Sequence, residues 1–122
     1  MKFWFVLVAL AAATLSSSSV AGEADIINVE VRKSGPQTFS FDVTVKHADT
    51  GWKHYANKWD IVTADGKVLG TRVLHHPHVE EQPFTRSLGG VRIPAEIKTV
   101  TVRAYDSVHA AGGVTKDVAV PH

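Results

Sequence analysis

Apolar and polar side chains alternate with a period of two along most of the chain beyond residue 21. Ile27, Val29 and Val31 alternate with Asn28, Glu30 and Arg32, the pattern of a strand with one buried face. Ser34-Gly35-Pro36 is turn chemistry. Phe39, Phe41, Val43 and Val45 then alternate with Ser40, Asp42, Thr44 and Lys46 in a second strand. A polar and aromatic stretch over residues 48–58 is broken by Asp49-Thr50-Gly51. Residues 59–63 read as a third strand and residues 67–75 as a fourth. Between them Asp65-Gly66 predicts a tight hairpin, whose type I′ form needs φ > 0.

Pro77 and Pro83 bracket a loop. Residues 84–93 read as a fifth strand, with a bulge expected at Gly89-Gly90. After the Pro94-Ala95-Glu96 turn, Val100, Val102 and Ala104 alternate with Thr101, Arg103 and Tyr105 in a sixth strand. Residues 110–113 form a loose loop, and residues 114–120 the last strand. About seven short strands, regular turn signals and no helical period predict an all-β domain. The expected form is a seven-stranded antiparallel sandwich of the immunoglobulin or fibronectin-III type; a small closed barrel is the alternative. Trp59 resembles the core tryptophan of immunoglobulin-like sandwiches, although no disulfide exists for it to cover.

The first residues follow a different pattern. Lys2 precedes an apolar run over residues 3–15, too short to span a bilayer comfortably, and then Ser16 to Ser19. Ser19-Val20-Ala21 places small residues at the −3 and −1 positions of a cleavage site. Residues 1–21 are therefore expected to be a signal peptide and residues 22–122 one exported β-sandwich domain, periplasmic or secreted, with no membrane span after cleavage.

Composition narrows the chemistry. The chain has no cysteine, and its one methionine is Met1. Thiolate nucleophiles, thiolate or thioether metal sites and a cysteine-linked lipid are thereby excluded within these residues. Net charge is +1 without a basic block, which argues against nucleic acid or an anionic membrane surface as partner. No Gly-x-Ser-x-Gly elbow or His-Glu-x-x-His motif is present, and the expectation is a protein that is not an enzyme. The oddity is histidine, of which the chain has seven.

Strand order says where they go. Antiparallel strands alternate direction, so loops alternate between two ends. His47 ends the second strand, at an end here termed the top. His54, His75, His76, His78 and His109 then lie in top loops with Glu80, Glu81 and Asp106, and only His122 does not. His76 and His78, two apart in an extended segment, share a face and make a plausible imidazole pair. Further ligands would come from His54, His109 or His47. The metal residues expected are His54, His76, His78 and His109, and imidazole with carboxylate suits copper(II) or zinc. A rigid His-His-Pro-His loop with no ligand is the plainer reading. Arg86 is expected to pair with Glu81 or Asp106, and Arg72 with Asp60, fixing geometry rather than doing chemistry.

Asp49-Thr50-Gly51-Trp52, His54-Tyr55-Ala56, Trp59-Asp60, the stretch Leu69-Gly70-Thr71-Arg72-Val73-Leu74 and the block from His76-Pro77-His78 through Glu81-Gln82-Pro83-Phe84-Thr85-Arg86-Ser87 carry a resemblance. Asp106-Ser107-Val108-His109 belongs to the same pattern. The chain resembles a group of small exported bacterial proteins that share this HPHxxEQPFTRS block. The resemblance implies a periplasmic setting and a shared immunoglobulin-like fold, and transfers no mechanism. Two functions are expected from different classes. One is a periplasmic metal-binding protein using the histidine pole. The other is a non-enzymatic interaction module that docks an envelope protein or ligand through the same loops.

Overall fold

Phe39, Phe41, Val43 and Val45 are all fully buried, and the strand that carries them organises one of two sheets. The computed structural model describes residues 22–122; the signal peptide expected over residues 1–21 lies outside the described residues. Eight strands follow one another with no helix among the described residues: β1 (Asp25–Gly35), β2 (Thr38–Lys46), β3 (Ala56–Val62), β4 (Val68–Val73), β5 (Phe84–Arg92), β6 (Thr99–Asp106), β7 (Ala110–Ala111) and β8 (Lys116–Ala119). The first sheet has the order β1-β2-β5. The second runs β4-β3-β6, with β7 and β8 pairing successive stretches of β6. All pairings are antiparallel.

The core lies between the sheets. Phe39, Phe41, Val43, Val45 and Phe84 from the first sheet meet Trp59, Ile61, Val100, Val102 and Ala104 from the second in one buried cluster. Alternation along β2 and β6 is what allows this, since every second residue reaches the same face.

Three expectations need correction. The eighth strand is the two-residue β7, which pairs with Tyr105 and Asp106; so short a strand has no alternation to read. In β1 the register shifts between Ile26 and Asn28. That irregularity turns Ile26 inward and leaves Ile27 44% exposed, while Val29 and Val31 still pack on the core. The hairpin between β3 and β4 is not of type I′, because only Gly66 takes a positive φ, +86°. The Gly66 N–H donates to Thr63 O and the Thr63 N–H to Lys67 O, each at 2.9 Å, a type I turn closed by a left-handed glycine. The bulge expected at Gly89-Gly90 is present, where Phe41 pairs Leu88 but Phe39 pairs Val91, with Gly90 at φ +65°.

Asp60 also has a different partner from the one expected. In register, Arg103 lies opposite Asp60 and Arg72 opposite Trp59, and opposite residues share a face. Arg103 therefore donates to Asp60 through Nε at 2.8 Å, and the Tyr105 hydroxyl donates at 2.9 Å. Arg86 pairs with Glu81 at 3.0 Å, as one of its two expected partners.

Strand directions put four segments at the top. These are the start of β1, the residues between β2 and β3, those between β4 and β5, and those after β6.

Candidate metal centre

β2 ends in His47, whose side chain is completely buried, as is that of Asp49. Their alternation, two apart, places both on the core side of the chain leaving β2. Asp49 Oδ1 accepts from His47 Nδ1 and from the Ala56 N–H, the latter at 3.0 Å. Its Oδ2 accepts the His78 N–H at 2.7 Å. One carboxylate thus fastens the end of β2, the start of β3 and the loop before β5. A carboxylate only accepts, so the hydrogen of a neutral His47 ring sits on Nδ1. The lone pair is left on Nε2.

That lone pair faces further acceptors. His47 Nε2 lies 2.6 Å from Gly22 O and 3.6 Å from Asp106 Oδ2. His54 Nε2 lies 2.9 Å from the same Gly22 O and 3.6 Å from Asp106 Oδ1. His47, His54 and Asp106 each offer a donor atom within 4.8 Å of the others. Tetrahedral ligands bound at 2.0–2.2 Å stand about 3.3–3.6 Å apart, close to the two His–Asp separations. Among the described residues this is the group of three or more metal-capable side chains that converges.

Asp106 ends β6, and its side chain is fully buried. Its Oδ1 accepts the Val108 N–H at 2.8 Å and the His109 N–H at 2.5 Å, a local turn typical of aspartate. Burial pushes this carboxyl up, but the His109 and Val108 amides and the His109 imidazole outweigh it and hold the carboxyl below the usual carboxylate range. Asp106 is thus kept ionised. The stability it confers is present above the unfolded carboxyl's value, near pH 4, and is lost as the pH falls below that. His109 Nδ1 sits 3.2 Å from both Asp106 oxygens, and its ring centroid is 5.0 Å from that of His54.

Of the four histidines expected to bind metal, His54 and His109 lie around Asp106. His76 and His78 form a separate group, tied to the first through Asp49. Their ring centroids are 4.6 Å apart, as the shared face implied. His78 stacks on Phe84 at 4.0 Å, and Arg86 Nη2 donates to its Nε2 at 2.8 Å. Arginine cannot accept, so that lone pair is engaged, while the buried Nδ1 has no partner. His76 and His75 are exposed, and His122 donates at the opposite end to Ile97 O. His47 is one of the further ligands the sequence offers, outside the four expected metal residues, whereas Asp106 is placed at the top without being named as a ligand. Asp49 was read only as a breaker; the His-x-Asp spacing was the available signal.

Burial lowers the His78 pKa, and the Arg86 and His76 charges lower it further. The unfolded chain therefore takes up this proton before the native state does. Stability from keeping His78 neutral is full above about pH 6.5 and is lost as the pH falls toward the native value. His78→Gln retains an acceptor for Arg86 but cannot titrate. Thermal midpoints measured between pH 7.5 and 5 are expected to fall less steeply for that variant than for the wild type.

Comparison with known proteins gives one relative. Over 91 residues, 75% of this chain, the sequence is 37% identical to a protein of Halomicrobium mukohataei described as "Putative lipoprotein". The match covers 44% of that protein, so the chain spans less than half the length of the relative it matches. No protein-family model matches the chain, and no solved structure matches it.

Proposed function

We propose that this is a non-catalytic metal-binding protein of the cell envelope, holding copper(II) or zinc at His47, His54 and Asp106. The observation that carries the reading is the convergence of His47 Nε2, His54 Nε2 and Asp106 on one point, where the Nε2 of a neutral, Asp49-oriented His47 ring faces a carbonyl and a carboxylate with no hydrogen to offer. A buried cluster of lone pairs is costly unless a proton or a cation sits among them. The Asp49–His47 pair supports a metal in particular, since a carboxylate on the far nitrogen fixes ring orientation and raises ligand basicity. Burial of His47 and Asp106 favours holding an ion over turning over a substrate.

The leader pattern and the lipoprotein description of the relative support an exported location, periplasmic or secreted. The order β1-β2-β5 opposite β4-β3-β6-β8 supports a fibronectin-III-like class, and the His76 to Ser87 block supports kinship with the small exported proteins it resembles. Calorimetric titration tests the function. Wild-type protein is expected to bind one equivalent, copper(II) more tightly than zinc, and His47→Ala to bind neither. Equal binding by His47→Ala would sink the reading.

A second reading rests on Trp52, 68% exposed and packed edge-on against Tyr55, with Val79 and Val108 also exposed on top loops. Such a surface suits a docked envelope protein. Trp52→Ala would then lose the partner and keep the metal.

A further inference from the structure

The residue at the centre of the cluster is not a side chain. Gly22 O is the atom that both His47 Nε2 and His54 Nε2 approach. The Gly22 α-carbon is equally enclosed: a Cβ there would stand 2.7 Å from Cε1 of both His54 and His109. The Gly22 φ of +106° lies where L side chains are strained, which leaves glycine as the residue that fits.

The segment that follows anchors Gly22. Ala24 and Ile26 are buried in the core. The Ile26 N–H donates to Val114 O at 2.8 Å, and the Val114 N–H donates to Asp25 Oδ1 at 2.7 Å. The Glu23 carboxylate lies against Gly112 and the Ala24 carbonyl against Gly113. Residues 23–26 thus hold Gly22 against the three imidazoles.

Gly22 also directly follows Ala21, the −1 position of the cleavage site. Hydrolysis of the Ala21–Gly22 bond adds water across it, giving a carboxylate on Ala21 and an α-amine on Gly22. A neutral amide nitrogen has its lone pair delocalised into the carbonyl and must lose its proton to bind a cation; an amine offers a lone pair directly. That amine is one bond from the α-carbon lodged against His54 and His109.

We propose that the processed N-terminus of Gly22 is itself a ligand of the metal site. Its amine and carbonyl oxygen close a five-membered chelate beside His47, His54 and Asp106, the carbonyl moving out from its present 2.6 and 2.9 Å from the two Nε2 atoms to ligand spacing. The inference rests on the metal reading above. Two donors on one residue bind as a single chelating unit, with the second already at high effective concentration. The amine sheds its proton to solvent on binding, as metal ligands must. The site is then complete only after the leader is removed, so the precursor holds metal more weakly than the processed protein.

The test compares three proteins by titration with zinc and with copper(II). The first begins at Gly22, released from a fusion and verified by mass. The second retains Ser19-Val20-Ala21 ahead of it. The third is His47→Ala in the Gly22-start form. The Gly22-start protein is expected to bind about 100-fold or more tightly than the Ser19-start protein, at or beyond the upper end of second-shell effects. The unloaded forms are expected to melt alike. Copper(II) EPR of protein labelled with 15N at Gly22 should show a changed nitrogen hyperfine pattern. Equal affinity of the Gly22-start and Ser19-start proteins, both lost in His47→Ala, overturns the N-terminal ligand and leaves the side-chain site standing. Absence of binding in every form overturns the site as well. A processed protein whose first residue is not Gly22 also overturns this inference.

Discussion

Replacing Asp49 with alanine is expected to cost the domain about 3–5 kcal/mol, since three buried donors lose their acceptor at about 1–3 kcal/mol each. Asp49 accepts from His47 Nδ1, the Ala56 N–H and the His78 N–H. Alanine would orphan all three in a region closed to water. Domains of this size have only about 5–15 kcal/mol in total, so the loss is a large share. Urea unfolding should show a lower midpoint with an unchanged slope, the mark of lost stability rather than an altered unfolded state. Asn at the same position separates the two roles of Asp49. It keeps one acceptor and leaves one backbone N–H facing an NH2 group, a cost of about 1–3 kcal/mol. Its amide can donate to His47 Nδ1, moving the ring hydrogen to Nε2 and removing the lone pair from the cluster. Asp49→Asn should therefore fold and yet bind metal about 10–100-fold more weakly. A variant that folds and binds as the wild type does would show that the aspartate does not set the His47 tautomer.

The second large effect is stabilisation by metal. A ligand that binds only the native state stabilises it by about 2.7 kcal/mol at 100 times its dissociation constant. For a domain of roughly 100 residues this raises the melting midpoint by about 10–20 °C. Zinc should produce that shift in the wild type, chelation should reverse it, and His47→Ala should show none. The physical source is specific to this cluster: without a cation, the Nε2 lone pair of a neutral His47 lies 2.6 Å from Gly22 O and 3.6 Å from the Asp106 carboxylate. A midpoint indifferent to zinc would mean that protonation alone satisfies these acceptors.

The sheets were largely legible in the sequence because burial on one face writes itself as alternation. β2 is the clearest case, with Phe39, Phe41, Val43 and Val45 all inward. Strand direction followed from counting, and it brought His54, His109 and Asp106 to one end. Where a bulge breaks the period, the reading slipped, as at Ile27. The hairpin at Gly66 has a left-handed glycine without the type I′ turn, since a dipeptide specifies one residue's φ more firmly than its neighbour's. The site was harder to read for a different reason. His76-x-His78 has the spacing of a ligand pair, and the two rings do meet, but Arg86 occupies the His78 lone pair. Which lone pairs remain open depends on contacts between distant strands, and spacing along one strand does not record them. Gly22 was invisible as a site residue because its contribution is backbone. Yet β1 runs antiparallel to β2, so the domain's first residues had to lie at the histidine end.

X-ray absorption at the zinc edge of stoichiometrically loaded protein beginning at Gly22 addresses the metal centre most directly. A first shell of nitrogen and oxygen at about 2.0–2.1 Å, with outer-shell scattering from two imidazoles that falls to one in His54→Ala, is the expected result. A six-coordinate all-oxygen shell without imidazole scattering, unchanged in His54→Ala, would contradict it.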